Sequence, residues 1–141
     1  MLKVLKVVTD EQIQDAFNVR TKVFVEEQNV PSELEIDELE AEAAHFVLYN
    51  EGLPIGAGRF RVVDNYGKIE RICVLKDQRK SGAGVLIMNA IEGYAKSFPL
   101  NLLKLNAQIS AIPFYEKLGY TVVSSEFLDA GIPHKTMEKH I

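Results

Sequence analysis

The chain has 141 residues, the length of one ordinary domain, and an apolar content of 47% that suits a single core and excludes a disordered composition. Sixteen basic against twenty acidic residues leave a formal charge of −4, which argues against the basic stripe that nucleic-acid binding needs. The single cysteine, Cys73, excludes an internal disulfide, and no apolar run is long enough to span a membrane.

Residues 2–8 read as a strand. The chain turns polar directly after them, too soon for a secretory leader, and a cytoplasmic location is the expectation. Thr9-Asp10 can cap a helix running to about Glu27, with Ile13, Ala16, Phe17, Arg20, Val23 and Phe24 at helical spacing. Asn29-Val30-Pro31-Ser32 breaks it, and a short helical piece is expected after it, where Ile36 and Leu39 recur at one-turn spacing. HFVLYN, PIGAGRFRVVD and KIERICVL are strand-like runs. Asn50-Glu51-Gly52 and Asp64-Asn65-Tyr66-Gly67 separate them so closely that antiparallel neighbours are predicted. Alternation sends Phe60 to one face and Arg59 and Arg61 to the other, and puts Glu70 on a face with Ile72 and Val74. From Gly84 the period becomes helical, with an apolar stripe of Val85, Met88, Ile91 and Ala95 widened by Ile87 and Tyr94. LLKLNA is another strand, Ala111 to Leu118 a short helix closed by Gly119, and YTVVSSEF and residues 134–139 supply the last strands. These elements make one α/β domain over residues 1–141, with a mixed sheet.

Two segments carry chemistry. Arg79-Lys80-Ser81-Gly82-Ala83-Gly84 lies between a strand and a helix, where free backbone amides and the helix dipole favour an anion. A Walker loop would need Lys-Ser/Thr after Gly84, and the dinucleotide pattern a third glycine at position 87; Val85, Leu86 and Ile87 exclude both. What remains is R-x-x-G-x-G, either a phosphate cradle or a polar turn with a helix cap. In NAQISAIPFYEKLGY, Phe114 and Leu118 are spaced for the core, while Tyr115 sits beside Phe114 and need not share its burial. A tyrosine hydroxyl there can protonate a departing thiolate, or the ring can simply pack.

These two motifs, in this order, resemble the GNAT superfamily of N-acetyltransferases. Arg79, Gly82 and Gly84 fill its acyl-CoA pyrophosphate motif, and Ala111, Phe114, Tyr115, Gly119 and Tyr120 match its second signature. RTKVFVEEQNVPSELEIDELE, GRFRV, GKIERICVL and EFLDAGIPH are similar to a small bacterial subgroup, the ElaA-like or YjcF-like acetyltransferases. The resemblance covers nearly the whole chain. It implies a twisted, V-shaped mixed sheet of six or seven strands with about four helices, and acetyl-CoA as cosubstrate between the strands near 68–75 and 102–107. It further implies that Arg79, Lys80, Ser81, Gly82, Ala83 and Gly84 cradle the pyrophosphate, that the main chain of Ile72, Cys73 and Val74 pairs with the pantetheine arm, and that Tyr115 is the general acid. Asn106, Gln108 and Phe114 are further cofactor contacts on this reading; Gln108 replaces the family's usual asparagine and Lys80 a frequent glycine.

The implied reaction is acetyl transfer to a primary amine by direct attack, with a non-catalytic CoA-binding regulatory protein as the alternative. The expected base is Glu70, whose competing reading is an ion pair with Arg59, Arg61 or Lys68. His45, His134 and Glu27 are substrate-side candidates, and Cys73 reads as packing. Eight acids and no Lys or Arg between Glu26 and Glu42 would make an acidic rim that favours a small-molecule or peptide amine carrying positive charge. No metal, nucleic acid or membrane partner is expected, and the protein is a monomer or a homodimer.

Overall fold

In a computed structural model that describes residues 1–141, Leu2–Lys6 forms β1 and Thr9 opens α1, Asp10–Arg20. The opening is a capping box: the Thr9 hydroxyl accepts the Gln12 amide, and the Gln12 side chain accepts the Thr9 amide. The helix continues to Glu27, as the spacing predicts, but over Thr21–Glu27 it widens into a π-helix. Pro31 is followed by a single turn, α2 (Ser32–Glu35), which lies ahead of the Ile36 and Leu39 pair, and a 3-10 turn forms at Glu40–Glu42.

Three antiparallel strands follow: β2 (Ala44–Asn50), β3 (Leu53–Val63) and β4 (Tyr66–Val74). Then come α3 (Ala83–Ala95), β5 (Leu102–Gln108), α4 (Ile112–Lys117), β6 (Thr121–Val122), β7 (Phe127–Asp129) and β8 (Ile132–His140). All eight strands belong to one sheet of order β1-β2-β3-β4-β5-β8-β6, with β7 also on β8. The expected six or seven become eight because YTVVSSEF is interrupted at Ser124-Ser125 and yields two short strands, each paired with β8. β4 and β5 are the one parallel pair.

The sheet alternates between two helical layers. Phe46, Leu48, Phe60 and Ile69 pack with Ile87, Met88 and Ile91 of α3, whereas Val47, Ala57 and Cys73 meet Ala16, Val19 and Val23 of the first helix. The buried ridge of α3 is Ala83, Ile87, Ile91 and Ala95 with Met88 beside it. Val85, expected in that stripe, is instead exposed on the first turn at the mouth of a cleft.

One irregularity changes which residues share a face. Arg59 pairs with Glu70 and Ala57 with Cys73, so β4 spends one more residue than β3 between these points. The extra residue is accommodated by a bulge with Arg71 in the left-handed region at φ 59°. Beyond it the alternation is reversed. Glu70 bonds Arg59 and Cys73 packs under α1, while Ile72 and Val74 pack against the α3 layer. Glu70 therefore does not share a face with Ile72 and Val74, contrary to strict alternation.

Candidate active site

The β4–β5 ladder is short, running from Gly67↔Leu103 to Ile69↔Leu105. Beyond it β4 continues to Val74 and β5 to Gln108 unpaired with each other, so the strands splay and the edge of β4 facing β5 carries free main-chain groups. A cleft of about 900 Å³ fills the wedge, within the range of a site that buries most of a cofactor-sized ligand.

The glycine segment forms one end of this cleft. Gly82, at φ 80°, is the residue before α3, and no side chain caps the helix. Ser81 donates its hydroxyl to the Gln78 carbonyl instead. Leu86 N–H returns to the Gly82 carbonyl, and the preceding first-turn residues Ala83, Gly84 and Val85 border the cleft with no intrahelical acceptor for their amides. Gly82 borders the cleft, and a Cβ there would meet nothing within 4 Å, so the backbone at this corner is open to an approaching group. A Cβ on Gly84 would stand 3.0 Å from the Phe114 ring, so that glycine serves the approach of α3 to α4. Lys80 borders the cleft at φ 68°. Arg79 is held by three bonds: Nε donates to the Val74 carbonyl at 2.9 Å, and the two terminal nitrogens donate to Glu27 at 2.8 and 2.7 Å. Those bonds hold the Glu27 carboxyl below its ordinary pKa. Glu27 thus meets the glycine loop and does not itself line the cleft.

The opposite wall comes from β5 and α4. Here the expected burial is reversed: Tyr115 is only 8% exposed and belongs to the core, while Phe114 is half-buried and lines the cleft. A helix of six residues is too short for spacing to decide which face turns inward. The Tyr115 ring meets Phe114 edge-on at 5.0 Å, and its hydroxyl, at the cleft, makes no hydrogen bond within the chain. Burial raises the phenol pKa, which keeps Tyr115 protonated and makes it a donor. Asn106 accepts a hydrogen bond from Thr136, and Gln108 donates to Gln28 at 2.8 Å, tying β5 to the residue after the π-helix.

Glu70 belongs to a partly buried ion-pair network. Glu70 lines the cleft but accepts from Arg59 at 3.1 Å and Arg61 at 2.7 Å, with Lys68 at 3.9 Å. Burial alone would push its carboxyl up; the hydrogen bond from Arg61 and the charges of Arg59, Arg61 and Lys68 outweigh that and hold it below the usual range. The acids between Glu26 and Glu42 do not form a free rim. Glu35 and Glu40 pair with Arg20 and Asp37 with Arg59, two buried arginines that need counter-charges, while Asp37 also pairs with Arg71, Glu42 with Arg61 and Glu27 with Arg79 nearer the surface. Sequence reasoning missed Lys68 and Arg71 as cleft residues; for Arg71 the acid-rich segment was the available signal, since Glu35 and Asp37 are its partners, and for Lys68 there was none.

The histidines separate. His45 is buried against Phe17, its Nε2 donates to the Glu40 carbonyl at 2.9 Å, and it does not reach the cleft. His134 does line the cleft, on β8 opposite Gln108 of β5. The Cys73 thiol, pushed up to about 12 by burial, is unreactive packing although its residue borders the cleft.

A splayed parallel strand pair with an uncapped helix N-terminus at one end and a buried, protonated tyrosine in its wall has the anatomy of an acyl-group transferase. Residues 4–141 match the family described as Acetyltransferase (GNAT) domain, and the chain belongs to that family of acyltransferases. Over 131 residues it is 57% identical to the uncharacterized N-acetyltransferase YjcF of Bacillus subtilis (strain 168), covering 92% of this chain and 94% of that protein. The crystal structure of Escherichia coli ElaA shares the fold, with a TM-score of 0.87 at 23% identity over 99% of both chains. A GNAT family acetyltransferase from Elizabethkingia anophelis, solved with acetyl-CoA bound, has a TM-score of 0.77 at 11% identity over 99% of this chain and 98% of that one.

Proposed function

We propose that the protein transfers the acetyl group of acetyl-CoA to a primary amine by direct attack. The observation that carries this reading is the placement, in one cleft, of the uncapped α3 N-terminus, the unpaired edge of β4 and the Tyr115 hydroxyl. The residues fit the cosubstrate. The amides of Ala83, Gly84 and Val85 would hold the pyrophosphate with Lys80 and Arg79 at the rim. The main chain of Ile72–Val74 would hydrogen-bond the pantetheine arm, with Phe114 and Gln108 on the opposite side. Bound acetyl-CoA supplies a thioester carbonyl, at which the C–N bond forms and the C–S bond breaks.

Tyr115 donates its proton to the leaving sulfur. Glu70, whose oxygens are shared among three cations, serves better as their counter-charge than as the base sketched from sequence. Glu35, Glu70 and Asp129 are the carboxylates that border the cleft, and they favour an acceptor with positive charge.

The test is acetyl-CoA titration together with turnover on a panel of primary amines. We expect one acetyl-CoA per chain, amide formation, and a Tyr115→Phe variant that binds acetyl-CoA normally but turns over about 10²-fold more slowly. Binding without turnover of any amine would favour the regulatory reading, and no binding would remove the proposed site.

A further inference from the structure

Amine attack needs a base, because an alkylamine is protonated at neutral pH and its lone pair is unavailable. Asp129, at the end of β7, borders the cleft as an exposed carboxylate that no hydrogen bond or ion pair holds in place, and the other candidates each have a definable state. Glu70 is committed to Arg59, Arg61 and Lys68. Glu35 is 2% exposed; its Oε1 faces Arg20, and its free Oε2 is sealed from solvent. Tyr115 is protonated and serves as the acid.

His134 differs from all three. Its Nδ1 lies 2.6 Å from the carbonyl oxygen of Ile132, which can only accept, so Nδ1 carries the proton and donates. In the neutral ring the lone pair is then on Nε2. Phe127 stacks on the imidazole at 6.1 Å and 22°, and strand pairing with Gln108 on one side and Phe127 on the other fixes the His134 backbone. Nε2 makes no hydrogen bond within the chain and is not sealed off, and the residue lines the cleft. Strand register places His134, Gln108, Asn106 and Lys68 on the one sheet face that α3 does not cover.

We infer that His134 is the catalytic base, with Nε2 receiving a proton from the ammonium group of the acceptor. This rests on the amine-acetylation reading and assigns a step that it leaves open. The protons balance. R–NH3⁺ gives one proton to Nε2, and its freed pair forms the C–N bond. Tyr115 protonates the sulfur as the C–S bond breaks and recovers a proton from the new amide nitrogen by way of solvent. His134 releases its proton to water. The products are the amide, the thiol and one proton.

The charged and titratable groups bordering the same cleft are Glu35 of α2, Lys68, Glu70, Arg71 and Cys73 of β4, Arg79 and Lys80 of the loop before α3, Tyr115 and Lys117 of α4, and Asp129 of β7. Any of these that shaped the pH profile would survive the loss of His134, which makes the variant informative.

Two measurements decide the matter. Nitrogen-15 histidine spectra of the wild-type protein with coenzyme A added read the tautomer without any acceptor; the chain has 3 histidines, and a His134→Gln sample assigns the signal. The Nδ1–H form is expected, and an Nε2–H form would overturn the assignment. With the primary amine that the wild type turns over fastest, His134→Gln should lower kcat/KM by about 10²-fold or more and abolish the acidic limb of its pH profile. Acetyl-CoA affinity should stay within about twofold, and Glu70→Gln should retain the acidic limb. Wild-type kcat/KM with an intact acidic limb in His134→Gln would remove the base role and leave acetyl transfer standing. A wild-type protein that turns over no amine refutes the transfer reading itself, while the spectra still decide the tautomer.

Discussion

Glu40 accepts hydrogen bonds from both terminal nitrogens of Arg20 and lies 3.0 Å from Arg59. Burial pushes its carboxyl up, but Arg20 and Arg59 pull it down from 4.5 to about 2. A carboxyl depressed in the folded state stabilises the protein above its unfolded pKa, and that stability is lost as pH falls through the folded value. The difference corresponds to about 3 kcal/mol at neutral pH, lost between about pH 4.5 and 2. Denaturant titrations should therefore show Glu40→Gln less stable by about this amount at pH 7 and nearly equal to wild type at pH 2. The two glycines of the phosphate loop make a second pair of predictions. Gly82→Val strains a left-handed position and puts a branched side chain on the corner that borders the cleft, so acetyl-CoA affinity should drop at least tenfold in calorimetry while the fold persists. Gly84→Val collides with Phe114, so its first effect should be a lower Tm, with weaker binding following from a displaced α4. A wild-type acetyl-CoA affinity in Gly82→Val would contradict this division.

The bulge in β4 shows what local pattern could and could not reveal. Thr9 followed three residues on by Gln12 announces a capping box, and glycines at 82 and 84 announce a tight strand-to-helix junction; both formed where the residue types demanded them. Nothing about Arg71 announces a left-handed backbone, because an arginine gains nothing there. The bulge persists through long-range contacts: the Arg71 side chain donates to the carbonyls of Leu34 and Glu35 and to Asp37. Pairings so far apart in sequence leave no periodic trace, which is also why the acidic segment read as an open rim. Arg71→Gly should relax the backbone by about 1 kcal/mol while releasing α2. We expect a nearly unchanged global stability and faster hydrogen exchange across residues 32–40; unchanged exchange there would mean that the arginine does not tether the segment.

Across the whole protein, binding and folding are linked because the cleft lies between parts of one sheet. A ligand that binds only the folded state adds about 2.7 kcal/mol at a hundredfold excess over Kd, so acetyl-CoA should raise Tm by several degrees, and the rise should shrink in Gly82→Val. Glu27 reaches the loop after β4, and its neighbour Gln28 reaches the end of β5. Glu27→Gln should leave Arg79 free for phosphate and tighten acetyl-CoA binding by a few-fold, the scale of one exposed ion pair. An unchanged or weaker affinity would show that Glu27 positions the arginine instead of competing for it. Two consecutive side chains thus lash together the jaws of the V from its open end, as a strap across a clip. Glu27 holds one wall and Gln28 the other, so a change at either residue should alter how the two walls are spaced.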